Sequence, residues 1–283
     1  MNYRHAYHAG NFADVLKHAA LALAIEHLKR KEKAFAVFDS HAGRGLYDLD
    51  EREAAKTGEA KAGILRLLSL TDAPPVLAPY LACVRAGGEG RYPGSALIAA
   101  SLLRRQDRLV AIEKHESEHA LLAGALAGLR NARAVQGDGY ERLSALLPPP
   151  ERRGLVLIDP PYEAKDEFAR AARALAEAWR KFPTGIFMLW YPVKSRGIAD
   201  ALAGEILSAG VAKLLRLELD IGRAPAMASS QAGERLSAAG LLVANPPYGF
   251  DAAMKIILGY LAKHLAQGSG AGQRLEWLAG REP

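Results

Sequence analysis

The chain of 283 residues carries a single cysteine, Cys83, which excludes an internal disulfide framework and a cysteine-clustered zinc site. A lone cysteine is usually a small core residue, and the scarcity of thiols fits a reducing compartment. No apolar run approaches the ~20 residues needed to cross a bilayer. The apolar stretch 19–25 follows Asp14 and runs into Glu26-His-Leu-Lys-Arg-Lys-Glu-Lys33, which predicts one amphipathic helix and not a signal peptide. The histidines His5, His8 and His18 lack the carboxylate or cysteine spacing that would complete a metal site, so no metal is expected. The dinucleotide fingerprint G-x-G-x-x-G is also missing, because Gly88-x-Gly90 is followed by Pro93. There is no internal repeat and no low-complexity tract.

Half of the residues are hydrophobic and 24% are charged, the balance of an ordinary soluble globular protein. The formal net charge of +6 permits a nucleic-acid partner without requiring one. These features predict a cytoplasmic protein able to bury a sizeable core, read as one domain over 1–283.

Short apolar, β-branched runs alternate with Ala- and Leu-rich stretches of helical period. The runs are 34–39, 109–113, 133–135, 155–159, 186–191, 213–219 and 239–244. Unbroken apolarity suits strands covered on both faces, as in a parallel sheet. With helices expected over 116–130, 164–181 and 197–209, the pattern is β-α-β and the sheet doubly wound. No strong helical pattern joins the last two runs, so an antiparallel pair is expected at one edge. Seven strands ending in a hairpin match the α/β class I (Rossmann-like) methyltransferase fold, a count that by itself does not separate it from other Rossmann-like folds. The acids Asp39 and Glu113, ending the first two strands, are much farther apart than the ~20 residues of a compact unit. The excess, about 51–91, reads as a small helical insertion: helical over 51–70, Pro-rich over 73–79, then helical again.

The sharpest chemical signal is Asp159-Pro-Pro-Tyr162, directly after the run 155–158. Consecutive prolines fix φ and remove donors, so the carboxylate and the Pro160 carbonyl can accept hydrogen bonds from an exocyclic amine while Tyr162 stacks on the ring that bears it. A second copy, Asn245-Pro-Pro-Tyr248, is an equally good cradle in isolation. Position decides between them: the fourth strand lies beside the first at the topological switch point, and Asp159 ends the fourth run. Asn245–Tyr248 is therefore read as a structural turn into the final helix, with a place along the substrate groove as the alternative.

The loop Asp39-Ser-His-Ala-Gly43-Arg-Gly45 lets the backbone approach a ligand, with an acid placed for a cationic amino-acid group. S-adenosyl-L-methionine has such a group and lacks the pyrophosphate of NAD. Glu113 is placed to accept both ribose hydroxyls. Asp138-Gly139, closing the third strand, could hold the cofactor's adenine amine or simply cap the next helix. The polar, aromatic arm 1–18 folds over the cofactor or touches substrate in this reading.

At Asp39–Tyr47, at Asp159–Tyr162 and above all at Tyr-Arg-His-x-Tyr-His-Ala-Gly-Asn-x-Ala-Asp-Val-Leu-Lys-His (3–18), the sequence resembles the RlmJ-type 23S rRNA (adenine-N6) methyltransferases. The resemblance covers essentially the whole chain, including the insertion and the Leu-Trp-Tyr-Pro-Val stretch at 189–193. It implies S-adenosyl-L-methionine as donor and N6 of one adenine in 23S rRNA as acceptor; the RNA is expected free or in an early assembly particle, and the protein as a monomer. It makes Asp159 the catalytic acceptor, in contact with both cofactor and base. His18, His41, Ser95, Glu113, Asp138 and Gly139 become cofactor contacts, and Tyr3, His5 and Lys17 face the target adenosine. Arg44, between the loop glycines, is bulkier than the small residue expected there. The alternatives are a DNA adenine-N6 methyltransferase, for which the insertion is small as a duplex-reading module, a NAD-dependent oxidoreductase, which the absent fingerprint disfavours, and a non-catalytic nucleic-acid-binding module.

Overall fold

A computed structural model describes residues 8–50, 58–222 and 236–280. The chain begins with helix α1 (Phe12–Lys29), strands β1 (Ala36–Asp39) and β2 (Leu46–Asp48), and helices α2 (Glu59–Ala62) and α3 (Ile64–Leu68). A single 3-10 turn (Pro75–Leu77) leads into α4 (Ala78–Ala86), β3 (Arg91–Pro93) and α5 (Ser95–Leu102). The alternating part runs β4 (Arg108–Glu113), α6 (Glu116–Ala125), β5 (Ala132–Gln136), α7 (Gly139–Leu146), β6 (Gly154–Ile158), α8 (Glu167–Lys181), β7 (Ile186–Pro192) and α9 (Arg196–Ser208). It closes with β8 (Leu214–Asp220), β9 (Ala238–Ala244), α10 (Phe250–Leu265) and β10 (Gly272–Ala279). No helix among the described residues is long and apolar enough to cross a membrane.

Every residue of β1, β6 and β9 is buried, because helices cover both faces of the sheet and no side chain of these strands is left to water. The main sheet has the order β10-β8-β9-β7-β6-β1-β4-β5. The segment β7-β6-β1-β4-β5 is parallel, and β9 is antiparallel to both β7 and β8. Leaving out β10, the seven strands have the class I methyltransferase arrangement expected from the sequence. The chain leaves β1 toward β4 on one side and returns through β6 on the other, which opens a crevice at the carboxyl ends of β1 and β6.

Four expectations need correction. The pair β8/β9 is antiparallel but does not form the edge, because β10 adds outside β8. Its sequence, GQRLEWLA, mixes charged and apolar residues and is half-buried except at exposed Gln273, so no apolar run announces it. The insertion ends in β3, which pairs with β2 in a separate two-stranded sheet. Its helical part within 51–70 is two short helices broken at Gly63, residues 51–57 lying outside the described ones. Finally, α1 is not amphipathic: 14 of its 18 residues are buried. The insertion causes this, since Ile64, Leu67, Leu77, Tyr80, Leu81 and Val84 join α1 and the sheet in one apolar cluster. Each such side chain removed from water contributes about 1.5–3 kcal/mol.

The second Pro-Pro motif is settled by register. Ala244, which ends antiparallel β9, lies opposite Phe187 near the start of β7. Ile158, one residue before Asp159, lies opposite Leu189 in its middle. The two motifs therefore leave opposite ends of their strands, about 13 Å apart along the strand direction. The Asn245 amide donates to the carbonyls of Pro183 and Gly185, both at 2.8 Å. Tyr248 is 85% exposed, so this copy is a turn.

Candidate active site

Helix α1 starts at Asn11, whose side-chain oxygen accepts from the backbone of Ala13 and Asp14, each at 2.9 Å. This cap fixes the first turn, and helical period then sets Asp14, Lys17 and His18 on one face. Asp14 accepts from the backbone of Gly10 at 3.0 Å. Lys17 Nζ is 2.9 Å from Asp14 Oδ1 and 2.5 Å from Asp159 Oδ2. Burial would lower the Lys17 pKa, but attraction to Asp14 and Asp159 and the hydrogen bonds to both outweigh it and hold it above its ordinary value. Lys17 is thus a buried cation held by two carboxylates, only one oxygen of Asp159 is engaged by it, and the Asp159 side chain keeps 14% exposure.

The carboxyl end of β1 lies next to this group. Asp39 is 1% exposed and accepts from Ser95 Oγ at 2.6 Å. Burial pushes its carboxyl up to about 6; the Asp159 charge adds to this, while the Ser95 hydrogen bond and the Lys17 charge oppose it. Ser95 reaches the site because β3 pairs with β2 and the Gly94 N–H donates to the Gly45 carbonyl at 2.7 Å. His41 is bonded through Nδ1 to Ser40 Oγ at 2.8 Å and meets the Tyr140 ring edge-on. Burial pushes the imidazole down to about 4 against the pull of Asp159 and Asp138, so it is neutral near pH 7.

Glu113 accepts the N–H groups of Gly43 at 2.9 Å and His115 at 2.8 Å. Each oxygen retains lone-pair capacity for a further donor, as a pair of hydroxyls would require. The Gly43 N–H is directed at this carboxylate and not left for a phosphate, which disfavours a pyrophosphate-bearing cofactor. Asp138 takes the capping role: Oδ1 accepts the Tyr140 N–H and Oδ2 the Lys114 ammonium, both at 3.1 Å. Partial burial raises its pKa, but Lys114 and the backbone N–H groups of Tyr140 and Glu141 bring it below the ordinary value. At Gly139 a Cβ would lie 2.0 Å from the Ser40 carbonyl oxygen, so glycine is required for α7 to close against the first loop. Arg44 turns away from the crevice onto Glu118, with two hydrogen bonds of 2.9 Å, and its bulk does not block the loop.

Two expectations change here. Tyr162 is not an open stacking platform: it is 6% exposed, adopts φ +53°, and donates its hydroxyl to the Trp190 carbonyl at 2.7 Å. Phe168 and Trp190 take up its ring, making it a brace beneath the Pro-Pro loop. His18 lies deep, 1% exposed, bonded through Nδ1 to Tyr92 Oη at 2.6 Å and stacked on that ring. Tyr3 and His5 fall outside the described residues. The structure therefore brings Lys17, Asp39, Ser95 and Asp159 together, with His41, Glu113, Asp138 and Gly139 along the neighbouring strand ends. Sequence reasoning missed Asp14, although its spacing of three and four from Lys17 and His18 on one helix was the available signal.

Residues 32–279 match the family model described as ribosomal RNA large subunit methyltransferase D, RlmJ. The chain is 42% identical to the ribosomal RNA large subunit methyltransferase J of Haemophilus influenzae, with 98% of this chain and 99% of that protein covered. It is 39% identical to the protein of the same name from Escherichia coli K12, over 98% and 99%. A crystal structure from Legionella pneumophila superposes with a TM-score of 0.84 at 32% identity, covering 97% of this chain and 99% of that one.

Proposed function

Because the chain belongs to the RlmJ family of ribosomal RNA large subunit methyltransferases, we propose that it transfers a methyl group from S-adenosyl-L-methionine to N6 of one adenine in 23S rRNA. The observation that carries the reading is the Asp159 carboxylate, held at the tip of the central strand by the buried Lys17 with one oxygen left over. When bound, the cofactor supplies an electrophilic methyl on a sulfonium. The donor set suits it: Asp39 with Ser95 for the ammonium, Glu113 for the ribose hydroxyls, and neutral His41, Asp138 and Gly139 along the same edge. DNA is not favoured, since the relatives are named for ribosomal RNA.

The adenine N6 lone pair is delocalised into the ring, so the amine is a poor nucleophile. Asp159 and the Pro160 carbonyl accept its two N–H bonds and turn the lone pair out of the ring plane. Methylation makes the nitrogen cationic and strongly acidic, so Asp159, although paired with Lys17, is base enough to take the proton. Holding the base in line supplies much of the remaining acceleration. The base must leave its stack, which is easiest in loosely structured RNA. Tyr3, His5 and Lys17 flank it in this reading. The protein works as a cytoplasmic monomer on rRNA, free or in an early particle.

The test is Asp159→Ala, assayed with labelled donor on protein-free 23S rRNA, ribosomal particles and duplex DNA. Loss of about 10²-fold or more of transfer is expected, with the fold retained. Full activity in that variant, or methylation of DNA alone, overturns the proposal.

A further inference from the structure

With Tyr162 turned inward, the acceptor pocket still needs a surface for the target base, and we infer that Trp190 provides it. The inference rests on the reading above, that the adenine sits at Asp159. Parallel pairing sets Ile158 opposite Leu189, so Asp159, just past the end of β6, and Trp190 of β7 come next to each other. Alternation then points both to the α1 side of the sheet, where Lys17 meets both. Its Nζ is 2.5 Å from Asp159 Oδ2 and 5.9 Å from the centre of the Trp190 ring. Tyr162 braces the indole from the other direction, edge-on at 5.8 Å and through its hydroxyl on the Trp190 carbonyl. Of the two aromatic residues, Trp190 is the one left partly open to solvent.

An unstacked adenine offers a flat face for the partly open indole ring. Trp190 is therefore a base-contacting residue, with Asp159 holding the amine and the indole holding the heterocycle. Every base has a π-face, so the ring supplies binding, and selection of adenine stays with the groups around the amine.

Two measurements test this. Trp190→Leu should lower kcat/KM for 23S rRNA about 5- to 150-fold, the range for loss of one base–aromatic stack, mainly through KM, with the affinity for S-adenosylhomocysteine unchanged. Trp190→Phe, which keeps a ring and drops the N–H, should fall between it and the wild type. The chain has three tryptophans, so Trp179→Phe with Trp277→Phe leaves Trp190 as the only indole without altering it. Its emission should change saturably as protein-free 23S rRNA is added with S-adenosylhomocysteine. Wild-type KM in both Trp190 variants, or unchanged emission when anisotropy of labelled RNA shows full binding, overturns the inference. If the unaltered protein transfers no methyl to 23S rRNA, the underlying reading has failed instead.

Discussion

Asp39 should make donor binding fall with acidity in a way that one substitution removes. The carboxyl is fully enclosed, bonded to Ser95, and raised from 3.8 to about 6 by burial first and the Asp159 charge second. A ligand ammonium at Asp39 favours the ionised form, so binding requires proton loss whenever the free protein still holds the proton. The apparent dissociation constant then rises by the factor 1 + 10^(6 − pH): about twofold at pH 6 and about elevenfold at pH 5, relative to pH 8. His41, held down at about 4, contributes little across this window. Calorimetry with S-adenosylhomocysteine, which keeps the amino-acid portion and is stable, measures the slope. Asp39→Asn should bind more weakly at pH 8 and lose the dependence. A flat profile from pH 5 to 8 in the wild type, or an unchanged slope in Asp39→Asn, refutes the reasoning.

The same group sets a stability profile of opposite sign to most carboxylates. Its folded pKa lies above its unfolded one, so between about 4 and 6 the native state holds more protons than the unfolded chain, and stability falls as pH rises. At about 1.36 kcal/mol per pH unit, the ionised Asp39 costs the fold about 3 kcal/mol above pH 6. Asp39→Asn keeps an acceptor for Ser95 without the charge. It should therefore raise the melting temperature at pH 7 by about 6 °C while weakening donor binding, the exchange of stability for function expected at a working site.

Two further outcomes separate structural from chemical roles. Asn245→Ala forfeits hydrogen bonds to Pro183 and Gly185 and leaves alanine at φ +52°; it should cost about 2–4 kcal/mol in urea unfolding with kcat/KM unchanged, and a loss of activity in the folded variant would return that turn to the substrate path. Lys17→Met leaves Asp14 and Asp159 facing each other without a cation, which should cost about 3–5 kcal/mol and methyl transfer with it; adding Asp14→Asn should restore much of the stability but not the activity, and recovery of both would confine Lys17 to a structural role.

The central sheet was legible because most of its strands are apolar runs, and β6 was legible because its apolar run ends directly in Asp159-Pro-Pro-Tyr162. The order of strands came from the class I methyltransferase arrangement, since the β-α-β rhythm alone does not separate Rossmann-like folds. What stayed hidden was whatever depends on distant pairing. Ser95, which only the family resemblance offered, sits 56 positions from Asp39, and the pairing of β2 with β3, three residues to each strand, carries it there. The pattern of α1 misled because the charged stretch 26–33 after the apolar run 19–25 read as an amphipathic helix, whereas Asp14 and Lys17 are buried and pair with each other in the interior. In Tyr162, the residue type was right for a stacking platform, but a positive φ after two prolines turns the ring back toward Phe168, and no local pattern announces that reversal.

These contacts share one direction, from the insertion toward the Asp159 carboxylate. Glu59 of α2 accepts from the Asn11 amide at 3.0 Å and lies 3.0 Å from His8 Nδ1. Asn11 in turn caps the helix that carries Asp14 and Lys17. The junction is tight: Ile64 donates its N–H to the Gly10 carbonyl at 2.9 Å, and a Cβ on Gly63 would lie 2.2 Å from that oxygen. Without the insertion, α1 would expose the apolar face that Leu67, Tyr80 and Val84 now cover, and Lys17 would lose the dry surroundings in which its pairing with Asp159 is strongest. The described part of the insertion, packed against α1, thus sets the surroundings in which Lys17 pairs with Asp159, from its position between β1 and β4, where the chain would otherwise cross directly to the neighbouring strand.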